Sequence, residues 1–252
     1  MGKNLDKSSR YIAGIRDVQS LLQHQPELVI ELWVSQKRRD GKVEAIISRA
    51  KKLDKPLKRV SQDELADLVP GVRHQGVVAK CSSTAKSTSL ENLLSNLSHP
   101  PFLLVLDGVQ DPHNLGACMR SADAAGIDAI IVPADNACAI TPTVSRVAAG
   151  ATHSVPLIEV VNLGRCLESL QQQGIWVIGT SDQASQSIWQ SDLTGPLALV
   201  LGAEGTGMRS LTTNRCDTLV HIPMQGQVES LNVSVAAGVV LFEACRQRLA
   251  PK

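Results

Sequence analysis

From Pro101 onward the chain is written as short, almost uninterrupted runs of Val, Ile and Leu separated by longer helical patterns, and this alternation leaves few folds open to it. The runs are FLLVLD, AIIVP, SVPLIEV, IWVIGT, LALVLGAE and TLVHIP; between them lie NLGACMRSADAAG, TPTVSRVAAGA and NLGRCLESLQQQG, and a last helix is expected from about Asn232 to Leu249. Strands without polar alternation are apolar on both faces, which predicts an α/β fold with a parallel sheet covered by helices on both sides. Ligands of such sheets sit beyond the carboxyl ends of the strands.

Upstream the pattern is denser and more basic. GIRDVQSLLQ reads as a helix, VIELWVS as a strand, KVEAIISRAKKLD as a basic helix and GVVAKC as a closing strand. SSTAKSTSLENLLSNLSHPP then turns small and polar and ends on Pro100 and Pro101. These shifts predict a small N-terminal α/β domain over 1–80, a linker over 81–100 and a larger domain over 101–252. With 252 residues, 43% of them hydrophobic, there is enough apolar material for two cores. Residues 1–80 hold 16 Lys and Arg against 10 Asp and Glu, a balance of +6, whereas 81–252 hold 9 against 14, a balance of −5. A basic module joined to an acidic one suits an approach to a polyanion by the first part, although solvated surface lysines account for the same charge.

Several classes are excluded or disfavoured. The six cysteines show no CxxC pair and no His at metal-ligand spacing, which argues for reduced thiols in a cytoplasmic protein without a metal site. MGKNLDKSSR has no apolar signal core, no apolar stretch is long enough for a bilayer, and Asp6 stands where a myristoylation signal needs Ser or Thr. No membrane association is therefore expected. Gly202-Ala203-Glu204-Gly205-Thr206-Gly207 has the order GxxGxG after a late strand, which does not fit a dinucleotide fingerprint, and Met208-Arg209 in place of Lys-Ser or Lys-Thr rules out a P-loop.

Three short stretches are polar where a core would be apolar. In LDGVQDPHNLGACMRSADAAG, Asn114 stands where a helix N-cap would, and Arg120 lies in a helix whose other residues are small or apolar. An Arg so placed needs a partner: a phosphate or carboxylate ligand, or a structural bridge to Asp123 or Glu204. In LVLGAEGTGMRSL the glycines allow close backbone approach to a flat ligand beside Glu204, or simply make a tight turn. In IPMQGQVESLNVSVAAG, Ser230 and Asn232 bracket Leu231; one of them suffices as a cap for the apolar helix that follows.

NLGACMR, LGAEGTGM and IPM…ESLNVSVA resemble, in order and spacing, the three motifs of the SpoU branch of the SPOUT RNA methyltransferases. HQGVVAK and DGVQDPHNLGA place the likeness nearest to the subgroup that methylates the ribose of a guanosine in 23S rRNA. The resemblance spans essentially the whole chain. It implies a deep trefoil knot formed by the C-terminal strands and helix, an exception to the rule that chains do not thread loops. It also implies S-adenosylmethionine as methyl donor, held by backbone groups of Gly202, Ile222 and Leu231, and a catalytic set of Arg120, Asn114, Glu204, Ser230 and Asn232. It further implies a homodimer, and an N-terminal domain that grips 23S rRNA through Lys37, Arg38, Arg39, Lys51, Lys52, Lys58, Arg59 and Arg73. Two rival functions keep the same motifs: ribose methylation of tRNA, and a non-catalytic RNA-binding role in ribosome assembly.

Overall fold

The structure is a computed structural model and describes residues 9–82 and 89–249. The amino-terminal MGKNLDKS and the central part of the expected linker, 83–88, lie outside the described residues. The chain divides into two compact units, 1–87 and 88–252.

The first unit contains β1 (Ser9–Ala13), α1 (Ile15–His24), β2 (Val29–Ser35), α2 (Gly41–Lys52), β3 (Leu57–Val60), α3 (Gln62–Leu68) and β4 (Val77–Ser82), with sheet order β1-β4-β2-β3. β4 runs antiparallel to both β1 and β2, while β3 lies parallel to β2, so α2 is the crossover between them. One sheet face buries Val18, Leu21, Leu22, Ile46 and Ile47 of α1 and α2, and the other is covered by Leu65 and Leu68 of α3 against Tyr11 and Trp33. β3 and α3 were not expected. Ser61 and Glu64 close a capping box that starts α3, a signal present in the sequence as S-x-x-E.

The second unit contains α4 (Leu90–Ser95), β5 (Phe102–Asp107), α5 (Pro112–Ala125), β6 (Ala129–Pro133), α6 (Pro142–Ala148), α7 (Ala151–Ser154), β7 (Leu157–Val160), α8 (Leu163–Gln172), β8 (Trp176–Thr180), β9 (Gln186–Ser187), β10 (Leu197–Gly202), α9 (Ser210–Thr213), β11 (Thr218–His221) and α10 (Val233–Leu249). The sheet order is β7-β6-β5-β10-β8-β11-β9, and each described pair is parallel.

The apolar runs work as anticipated. Leu104, Leu106, Ile130, Leu199 and Leu201 face one core with Leu115, Met119, Val144 and Leu241 of α5, α6 and α10. Leu103, Val105, Ile131, Ala198 and Val200 face a second core with Leu163, Leu167 and Leu170 of α8. Alternate side chains of one strand thus feed two separate cores, which is why the runs carry no polar positions. The helix expected over TPTVSRVAAGA is broken instead into α6 and α7, because Ala149 and Gly150 take left-handed φ values of 54° and 105°.

Candidate active site

The loops after β5 and β10 emerge side by side, since these strands are neighbours and Asp107 pairs with Gly202 at their carboxyl ends. After β5, Gly108 (φ 87°) turns the chain and Asp111 caps α5, accepting from the His113 N–H at 3.0 Å, with Pro112 in the first turn. Asn114 is therefore not the N-cap expected from the sequence. Asp followed by Pro is the stronger start signal, because Pro has no N–H to satisfy and its fixed φ suits the first helical position. Released from capping, the Asn114 side chain points across to Glu204, donating from Nδ2 to Oε2 at 3.5 Å.

Asn232 completes the cluster. Its Nδ2 donates to Asn114 Oδ1 at 3.0 Å and to Glu204 Oε2 at 2.9 Å. Its Oδ1 accepts from the Ser234 N–H at 3.0 Å and the Ser234 hydroxyl at 2.6 Å, so one side chain both caps α10 and ties the three segments together. Ser230 is exposed and takes no part in the cap.

The loop between β10 and α9 is built around Gly202. A Cβ there would lie 2.0 Å from the Gly207 carbonyl carbon and 2.1 Å from the Met208 nitrogen. The close approach at Gly202 is thus made by the loop's own backbone. Ala203 and Gly207 exchange two backbone hydrogen bonds at 2.9 and 3.1 Å, and Gly205 and Gly207 adopt φ of 80° and 67°. The resulting turn presents Glu204, exposed, at its shoulder.

Arg120 stands apart from this cluster. It lies six residues beyond Asn114 on α5, about 120° away around the helix at ~100° per residue. The side chain is exposed, and among the described residues it makes no hydrogen bond or ion pair. Bridges to Asp123 or Glu204 are absent: Asp123 accepts instead from Ser154 Oγ.

Ile222 follows the last residue of β11, and Leu231 stands two residues before α10. Among the described residues, the backbone from Ile222 to Leu231 enters no backbone–backbone hydrogen bond, and Ile222, Pro223, Met224 and Leu231 are half-buried. A partly sheltered stretch with unclaimed N–H and C=O groups at the carboxyl edge of a parallel sheet fits the heterocycle and hydroxyls of a nucleoside.

One buried pairing at the strand end was not read from the sequence. Asp107, whose side chain is fully buried, accepts from the Arg209 backbone N–H at 2.9 Å and from its Nε at 2.7 Å. A carboxylate ending the otherwise apolar run FLLVLD was the available signal. Burial, then the charges of Asp217 and Asp107, pushes the Cys216 thiol up to about 12, and burial alone does the same to Cys118, which disfavours the thiolate. Among the described residues no group of His, Cys, Asp and Glu could hold a metal, and no helix is long and apolar enough to cross a membrane.

In the first unit the basic residues fall at two ends of the sheet. The loop after β2, carrying Lys37, Arg38 and Arg39, meets the loop before β4 that carries Arg73: Ser35 N–H donates to Gly76 O at 2.8 Å, and Arg38 donates to Gln75 O. Lys51 and Lys52 end α2, at the opposite end. Arg38, Lys58 and Arg59 are engaged with Asp40, Glu31 and Glu44, whereas Lys37, Arg39 and Arg73 are exposed and without an ion pair among the described residues.

Residues 101–242 match the profile of the SpoU rRNA Methylase family, and residues 11–86 match the RNA 2'-O ribose methyltransferase substrate binding family. The chain belongs to the SpoU rRNA methylase family. Among SpoU relatives it is 52% identical over 239 residues to the 23S rRNA (guanosine-2'-O-)-methyltransferase RlmB of Pseudomonas putida, covering 94% of this chain and 96% of that one. A solved RNA 2'-O ribose methyltransferase superposes with a TM-score of 0.75 at 28% identity, covering 97% of this chain and 90% of the other. The SpoU methyltransferase AviRb of Streptomyces viridochromogenes, solved with AdoMet, shares the fold with a TM-score of 0.76 at 23% identity, over 95% and 90% of the two chains.

Proposed function

We propose that this SpoU-family protein transfers a methyl group from S-adenosylmethionine to the ribose 2'-hydroxyl of a guanosine in 23S rRNA. The observation that carries this reading is the Asn114–Glu204–Asn232 cluster, assembled from segments 90 and 28 residues apart at the carboxyl edge of the sheet. Near-full-length relatives at about half identity, such as the RlmB protein 52% identical to this chain, support the substrate. The tRNA and non-catalytic readings have no comparable support.

S-adenosylmethionine supplies, when bound, an electrophilic methyl on a sulfonium. The residues fit it: backbone groups of Gly202, Ile222 and Leu231 hold the nucleoside part, and the unclaimed loop backbone matches a ligand whose edges both donate and accept. The chain's own task is to orient a 2'-hydroxyl and manage its proton. Asn114 and Asn232 fix Glu204 through Oε2, which leaves Oε1 without a partner among the described residues. Glu204 accepts the hydroxyl proton at that oxygen, and Ser230 and the asparagine amides orient the ribose. Arg120, exposed and without an ion pair among the described residues, clamps the RNA phosphate and stays charged, because guanidinium keeps its proton in proteins.

Exposed Val235, Phe242 and Leu249 recur every seven residues along α10 and form an apolar stripe suited to a second copy of the chain. The homodimer, the trefoil knot and a cytoplasmic setting belong to the same reading, as does the division into a substrate-binding domain over 1–80, a linker over 81–100 and a catalytic domain over 101–252. In the first domain Lys37, Arg39 and Arg73 are the leading candidates for gripping phosphates.

Deleting the gene and mapping ribose methylation in rRNA and tRNA tests the function. Loss of one 2'-O-methylguanosine from 23S rRNA is expected; loss confined to tRNA, or no loss, would overturn it.

A further inference from the structure

Asp107 and Arg209 belong to none of the roles above, yet Arg209 contacts the Asp107 carboxylate through both its backbone and its side chain. The Asp107 carboxylate is wholly buried at the end of β5. Arg209 reaches it three times: the backbone N–H at 2.9 Å, Nε at 2.7 Å and a terminal nitrogen at 2.5 Å. A carboxylate withdrawn from water tolerates few arrangements, so this fork-shaped contact holds the Arg209 backbone in one place.

The contact closes a loop. Gly202 pairs with Asp107 in the sheet, so the segment leaving β10 starts beside Asp107 and returns to it at Arg209. Between these two feet the residues Glu204 to Gly207 are exposed, and two of them have positive φ. Such a turn has little packing of its own to decide where Glu204 points. Its geometry comes from the Ala203–Gly207 bonds inside and from the clip at its far foot.

We propose that Arg209 is a positioning residue for methyl transfer, anchored by Asp107 and acting through Glu204. The proposal rests on the reading of Glu204 as proton acceptor given above. Loosening the clip lets the turn pivot on Gly202, whose own place in β10 is kept by its strand neighbours. Donor binding is then retained while Glu204 leaves its asparagine partners.

The test is a double-mutant cycle on the full-length protein, with transcribed 23S rRNA and S-adenosylmethionine as substrates, reading kcat, KM and Tm. Glu204→Gln is expected to lower kcat on the order of a hundredfold. Arg209→Lys, which keeps charge but loses the fork, is expected to lower kcat about tenfold with KM for the donor held within about threefold. Placed in the Glu204→Gln background, Arg209→Lys should change kcat less than about twofold, while its effect on Tm stays the same in both backgrounds. Equal falls in kcat in both backgrounds would overturn the positioning role and leave the Glu204 reading standing. A wild-type kcat for Glu204→Gln would overturn that reading, and the inference with it. Asp107→Asn, which keeps the shape and one acceptor, serves the same cycle if the lysine variant does not fold, and the same non-additivity is expected.

Discussion

The Asn232 amide nitrogen lies 3.0 Å from Asn114 Oδ1, across 118 residues of sequence, while the amide oxygen of the same side chain caps α10. Asp caps helices as well as Asn does, so Asn232→Asp separates the two duties. The cap survives, but a second carboxylate then faces Glu204 where a donor stood at 2.9 Å. Methyl transfer should fall on the order of a hundredfold with Tm lowered by only a few degrees. A matching collapse of Tm would show that Asn232 is needed mainly for folding.

Gly202 and Gly205 sit in one loop and should respond very differently to alanine. At Gly202 the added Cβ meets backbone atoms at 2.0 to 2.4 Å, which no side-chain rotation relieves. Gly202→Ala should cost about 3 kcal/mol or more and displace Glu204. At Gly205 the space is open and only the φ of 80° is unfavourable, so Gly205→Ala should cost about 1 kcal/mol. Urea unfolding of the two variants checks the order.

Arg120 has no partner among the described residues, so its replacement should barely touch stability. Arg120→Lys keeps the charge and removes the planar fork; kcat should fall at least about tenfold while donor affinity is unchanged by calorimetry. Wild-type turnover would remove Arg120 from the mechanism.

The two ends of the first unit's sheet make a further contrast. Replacing Lys37, Arg39 and Arg73 by alanine should weaken RNA binding and flatten its salt dependence, the log–log slope falling by roughly 0.7 to 0.9 for each phosphate no longer neutralised, with donor binding untouched. Replacing Lys51 and Lys52 at the other end should have a smaller effect. The reverse order, measured by filter binding across salt concentrations, would relocate the RNA path.

Much of this architecture was legible in the chain because both cores draw on the same strands: a run such as FLLVLD or LALVLG cannot be half-solvated. The three site segments were legible as polar interruptions at strand ends. What stayed hidden was pairing. Nothing local tells that Asp107 will meet Arg209, or that the glycines around Glu204 accommodate their own loop. Those contacts span 102 residues in one case and a single tight turn in the other, and both depend on strand order, which periodicity does not encode. The Asn114 cap was misread for a different reason: Asp111-Pro112 outcompetes it three residues earlier.

Asp17 in the first turn of α1 offers a pH handle remote from the site. Burial raises its pKa from 3.8 to about 6, against a smaller lowering by Arg16. The position near a helix N-terminus favours the carboxylate, so the net upward shift means that desolvation dominates. For a group whose folded-state pKa is raised, the stability it contributes is complete below the unfolded value near 3.8 and is lost as pH rises through about 6. Asp17→Asn removes the titration and keeps the shape. The variant should therefore gain stability over the parent as pH rises from about 4 to 7, with no gain below about 4, as read by hydrogen exchange of the α1 amides. A stability difference that does not change across that window would show that Asp17 is solvated well enough to ionise freely.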